Sequence, residues 1–106
     1  MDNATVRAWY TAQIKGIPNQ IDPAASLEDR ARKAFDLRNL YRIQARELMS
    51  DVKARAQLDR ERPNPGFEEL VKKKMQRKSM TRAQALMDIL ETASKSNSGI
   101  DRELGL

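Results

Sequence analysis

The sequence predicts an all-α domain, a small bundle of four to six helices built around one long central helix. Three observations carry this. Apolar residues recur at spacings of three, four and seven along most of the chain, capping residues stand where those runs begin, and Pro or Gly stands where they end. No useful length alternates apolar with polar residues, so no strand is expected.

Asn3 is placed to cap a first helix from about Ala4 to Lys15, with Val6, Trp9, Tyr10 and Ile14 near one face. Gly16 stands where a left-handed closing residue is wanted, and Pro18 forbids simple continuation. Ile17 to Ala25 reads as a connection that Ile17 and Ile21 pin to the core. Ser26-Leu27-Glu28-Asp29 resembles a capping box, with Asp in place of the usual Glu or Gln, and opens the longest helix. Its stripe is broad: Leu27, Ala31, Ala34, Tyr41, Ala45, Leu48 and Val52, widened by Phe35, Leu37, Leu40 and Met49. Such a width suits a helix touched from two sides. From Leu27 to about Arg60 the pattern fits one helix or two, with Ser50 the natural place for a kink.

Arg62-Pro63-Asn64-Pro65-Gly66 is the clearest break. Asn64 then reads as a cap, Pro65 as the first helical residue, and Glu68 and Glu69 as the anionic first turn of a helix to about Lys78. Phe67, Leu70, Val71 and Met75 are its apolar positions. Thr81-Arg82-Ala83-Gln84 is a capping box for the next helix, which ends near Lys95 and turns Leu86, Ile89, Leu90 and Ala93 inward. A turn at Ser96 to Gly99 leads into a last helical turn that docks Ile100 and Leu104.

With 106 residues the chain suits one domain, residues 1–106, large enough for a single core. Its five aromatics (Trp9, Tyr10, Phe35, Tyr41 and Phe67) leave that core mostly aliphatic. Cysteine and histidine are absent, which removes disulfides, thiolate chemistry and the usual proton shuttle near neutral pH. Any catalysis is thereby narrowed to Arg, Lys, Tyr and carboxylates. Zinc is disfavoured for the same reason, and no cofactor or metal is expected. No apolar run is long enough for a membrane span. The net charge of +5 favours an anionic partner, nucleic acid among them.

Two basic constellations stand out. Lys72, Lys73, Lys74, Arg77, Lys78 and Arg82 form a stretch that reads either as a solvated helix face or as a nucleic-acid-binding patch acting on phosphates by counterion release. Aromatic interleaving for single-strand stacking is missing from that stretch. On the long helix, Arg38, Arg42 and Arg46 step by four into a row, with Asp51 close behind. Such a row grips phosphate or carboxylate, or stabilises developing negative charge while Asp51 or Tyr41 handles protons. It reads first as a set of structural ion pairs with Asp36, Glu47 or a neighbouring helix, and Tyr41 on the apolar stripe reads first as core. The acidic pairs Glu68 with Glu69, Asp88 with Glu91 and Asp101 with Glu103 are explained by helix ends and solvation.

The strings Leu27-Glu28-Asp29-Arg30-Ala31-Arg32-Lys33-Ala34-Phe35-Asp36-Leu37-Arg38-Asn39 and Gln44-Ala45-Arg46-Glu47-Leu48-Met49-Ser50-Asp51 resemble the extreme C-terminal regions of large bacterial polymorphic toxins, of the rearrangement-hotspot and filamentous-haemagglutinin kinds. Phe67-Glu68-Glu69-Leu70-Val71, Met80-Thr81-Arg82-Ala83-Gln84-Ala85-Leu86 and Asp101-Arg102-Glu103-Leu104-Gly105-Leu106 extend the resemblance over most of the chain. It implies the C-terminal effector module of a larger secreted protein, delivered into a competing bacterium, acting in the target-cell cytoplasm and neutralised by a small, acidic immunity protein. Many such effectors are nucleases that rely on histidine, which this chain lacks. The expected function is therefore an antibacterial toxin domain that acts on an anionic target, plausibly nucleic acid, through the arginine row. The alternative is a non-enzymatic helical nucleic-acid-binding or protein-interaction module.

Overall fold

The computed structural model describes residues 1–49, 60, 64–96 and 99–106, and all regular structure among them is helical. Among the described residues, five α-helices have both ends in view: α1 Asn3–Lys15, α2 Leu27–Glu47, α3 Phe67–Arg77, α4 Arg82–Thr92 and α5 Ile100–Leu104, with a 3-10 turn, Ile17–Gln20, after α1. None is long and apolar enough to cross a membrane.

The long helix is central for a reason visible in its small residues. Ala31, Ala34 and Ala45 are fully buried, and side chains of that size let neighbouring helices approach closely on two sides. On one side Val6, Tyr10 and Ile14 of α1, one turn apart, meet Ala34, Leu37 and Ala45 together with Ile17, Ile100 and Leu104. On the other, Ala31 joins Phe67 and Val71 of α3 and Ala85, Leu86 and Ile89 of α4. Leu90 touches both clusters and joins them. The broad stripe is narrower than its sequence suggests, since Leu40 is 46% exposed. Met75 on α3 likewise faces outward, because Val71 and Phe67 already fill the inner side.

Several helix ends differ from expectation. Asp2, not Asn3, caps α1, its carboxylate accepting from Thr5 N–H at 2.7 Å. Gly16 is right-handed (φ −82°, ψ −6°), since the chain runs on into the 3-10 turn, where Pro18 occupies a position whose N–H has no helical partner to lose. Ser26 caps α2 as expected, but the helix stops at Glu47, and the kink proposed at Ser50 lies outside the described residues. Asn64 does not cap α3, which starts two residues beyond Pro65 with Gly66 before it. Its side chain is taken by Arg42 instead. The Thr81 capping box is complete in both directions, at 3.1 and 2.9 Å, and α4 ends at Thr92, earlier than Lys95. Ile100 and Leu104 dock as expected, and Gly105, at φ 78°, closes α5 in the left-handed region that glycine enters without steric cost.

Candidate functional site

The arginine row turns inward. At a spacing of four, Arg38, Arg42 and Arg46 stay on one side of α2. Arg38 reaches α4 and α5. Its Nε and Nη2 donate to the two Glu103 carboxylate oxygens at 3.0 and 2.6 Å, and Nη1 lies 3.1, 2.9 and 3.0 Å from the carbonyl oxygens of Thr92, Ala93 and Lys95. The last turn of α4 carries no basic residue of its own, so Arg38 supplies the cation that its orphan carbonyls and dipole favour. Arg46, 7% exposed, donates from Nε and Nη2 to the Glu103 carbonyl at 3.2 and 2.8 Å. Glu103 is therefore held twice by one helix face, through its carboxylate and through its backbone.

Tyr10 completes this cluster. Its hydroxyl donates to Glu103 Oε1 at 3.0 Å, and the Arg38 guanidinium lies 5.8 Å from its ring centre. Burial, followed by the neighbouring Glu103 charge, pushes the Tyr10 hydroxyl well above its usual range, so it stays protonated and serves as a donor. For Arg38, burial opposes the charge, and the hydrogen bonds and charges of Glu103 and Tyr10 together outweigh it. Tyr41 is half-buried against Trp9, edge to face, and its hydroxyl accepts from Gln20 Nε2 at 2.8 Å, which agrees with a packing role.

Arg42, 8% exposed, donates from Nη1 to Asn64 Oδ1 and from Nη2 to Asn39 Oδ1. These three residues line a pocket of about 360 Å³ between α2, α3 and α4, whose apolar wall includes Phe35, Leu70 and Ile89. Arg38, Lys74 and Glu103 also reach it. Phe35 is set by an edge-to-face contact with Phe67, 5.6 Å between ring centres. Asp51, the proposed proton-handling partner, lies outside the described residues.

No protein-family model, curated protein or solved structure matches this chain. The chemistry rests on its own geometry.

The basic stretch divides into two parts. Lys74 is bound to Asp88, whose carboxyl is held below its ordinary value by that hydrogen bond, and Arg82 bridges Glu28 and Glu68 at 2.6 and 3.0 Å. Arg32 also reaches Glu68, at 3.4 Å. Lys72, Lys73 and Arg77 on α3, and Lys78 at its C-terminal cap, are exposed, with no carboxylate within ion-pair distance among the described residues. Among the described residues no group of three acidic side chains is placed to hold a metal ion.

The structure thus brings Arg38 and Arg46 together on Glu103 and leaves Arg42 at the pocket wall, apart from the exposed α3 cations. The sequence reading missed Glu103, treating it as a solvated helix end. One signal was available: Glu103 stands three residues after the core anchor Ile100, on the same helix face.

Proposed function

We propose that this domain is the effector module of an antibacterial toxin and that it engages nucleic acid, with α3 rather than the arginine row supplying the phosphate contacts. The toxin context rests on the sequence resemblance, and the binding surface on one observation: Lys72, Lys73 and Arg77 of α3 and Lys78 at its C-terminal cap are solvent-facing, with no carboxylate within 4.0 Å among the described residues. Cations of this kind keep their hydration until a polyanion arrives, and binding then releases counterions from the phosphates. A small acidic immunity protein is the natural competitor for the same face.

Titrating DNA and RNA oligonucleotides at increasing salt tests the surface. The logarithm of affinity is expected to fall with the logarithm of salt by about 0.7–0.9 per phosphate neutralised, so a slope of about 3–4 if each of the four cations meets one phosphate. Replacing all four residues with alanine should bring it close to zero. Absence of binding at low salt removes the nucleic-acid reading. Inducible expression in bacteria tests the toxin reading, and unaffected growth with folded protein in the target compartment removes it.

A second reading, non-enzymatic binding, is favoured by the commitment of Arg38 and Arg46 to Glu103 and to helix-end carbonyls. Groups so engaged gain little by releasing their partners for a substrate. Nucleic acid recovered intact from arrested cells supports this reading, whereas cleaved or modified nucleic acid supports catalysis.

A further inference from the structure

We infer that the pocket between α2, α3 and α4 takes a single nucleotide unit, with the base against Phe35 and Leu70 and the phosphate on the rim cations Lys73 and Arg77. This inference rests on the proposed α3 surface and gives it a substrate class, single-stranded or mononucleotide over duplex. Leu70 and Lys74 line the cavity, and at 100° per residue Lys73 and Arg77 fall on the same side of α3, at its rim. The exposed basic side of α3 and the pocket mouth are therefore continuous.

The cavity's contents match the two ends of a nucleotide. Its volume of about 360 Å³ is at the small end of the roughly 300–1,000 Å³ found for ligand pockets, room for one base and its phosphate but not a base pair. Phe35, Leu70 and Ile89 provide apolar walls of the kind against which an unstacked base packs. The polar lining is rich in donors. Asn39 and Asn64 turn their Oδ1 atoms to Arg42, which leaves amide N–H groups as their remaining edges, and Asn64 Nδ2 spends one of these on Asn39 Oδ1 at 3.4 Å. The Asn39 amide is left to donate to base carbonyls or ring nitrogens. Among the described lining residues three cations face one carboxylate, and that carboxylate, Glu103, is already engaged by Arg38 and Tyr10. The aromatic partner absent from the basic stretch in sequence is supplied across the fold by Phe35.

The test is an amide-resonance titration of the isotope-labelled full chain with inorganic phosphate, adenosine monophosphate, an eight-nucleotide single strand and a duplex of the same sequence. The expected result is shifts centred on Phe35, Leu70 and the Asn39 side-chain amide with the monophosphate but not with phosphate alone. Single strand should bind at least tenfold more tightly than duplex. Leu70→Trp, which fills the cavity, should remove that preference, whereas Lys72→Ala with Lys78→Ala, which leaves Lys73 and Arg77 in place, should weaken both ligands alike. If Leu70→Trp does not fold, the shift map on the unmodified chain decides. Equal single-strand and duplex binding with no shifts in the pocket overturns this inference and leaves the α3 surface standing. Pocket shifts with the monophosphate but no binding of either oligonucleotide support the pocket for free nucleotides and overturn the α3 surface. Silence with every ligand overturns both.

Discussion

Arg38 and Glu103, 65 residues apart in the chain, form a two-pronged ion pair at 3.0 and 2.6 Å that ties the last helix to the central one. The pair is largely withdrawn from water, at 17% and 25% side-chain exposure, and the same guanidinium bonds the carbonyls at the end of α4. Three helices thus meet at one side chain.

Removing Arg38 strands a partly buried carboxylate together with those carbonyls. Arg38→Ala should cost about 3 kcal/mol in urea unfolding, and Glu103→Gln less, because the amide still accepts from Arg38 and Tyr10. In the double variant the two losses should overlap by more than about 1 kcal/mol. Additive losses would show that the pair is not energetically coupled.

Asp2 and Thr81 hold helix-start N–H groups and Asn3 does not. Asp2→Ala and Thr81→Ala should each cost about 1 kcal/mol, and Asn3→Ala under about 0.5 kcal/mol. Thermal denaturation of the three variants ranks them directly. A larger loss for Asn3 would return the cap to that residue.

Ser79 follows the last turn of α3 with φ 51°, a left-handed conformation that a β-carbon disfavours. Ser79→Gly should raise stability by about 0.5–1 kcal/mol. No gain in the unfolding midpoint would mean that the greater freedom of glycine in the unfolded chain offsets the relief.

Stability should fall at both ends of the pH scale. Tyr10 keeps its proton above the ordinary value of 10.0, held first by burial and then by the Glu103 charge, so the folded chain binds more protons than the unfolded one above that pH. Its contribution is complete below about pH 10 and is lost as pH rises further. Asp88 is depressed below 3.8 by its Lys74 hydrogen bond, so its contribution is complete above about pH 4 and is lost as pH falls through the folded value. Urea unfolding across the pH range should show both slopes. Tyr10→Phe should flatten the alkaline slope and Lys74→Met the acid one.

What was legible in the sequence was local. The Ser26 and Thr81 caps, the α1 face of Val6, Tyr10 and Ile14, the inward Leu86 and Ile89, and the docking of Ile100 and Leu104 each depend on neighbours within a turn or two. Asn64 shows where that logic stops: it stands beside a break with the chemistry of a cap, yet a buried guanidinium from α2 is a stronger partner for its oxygen than a helix-start N–H.

By itself, then, the sequence determined an all-helical chain with one long central helix, because hydrophobic period and capping chemistry act over a few residues. Only the tertiary structure decided which cations are spent internally and which face water. An arginine four residues from the next is the same in sequence whether it meets solvent, Glu103 or an asparagine, and the choice depends on helices that arrive from 22 to 65 residues away. That choice turned the arginine row from a surface grip into an internal clamp and left Lys72, Lys73 and Arg77 of α3 facing water.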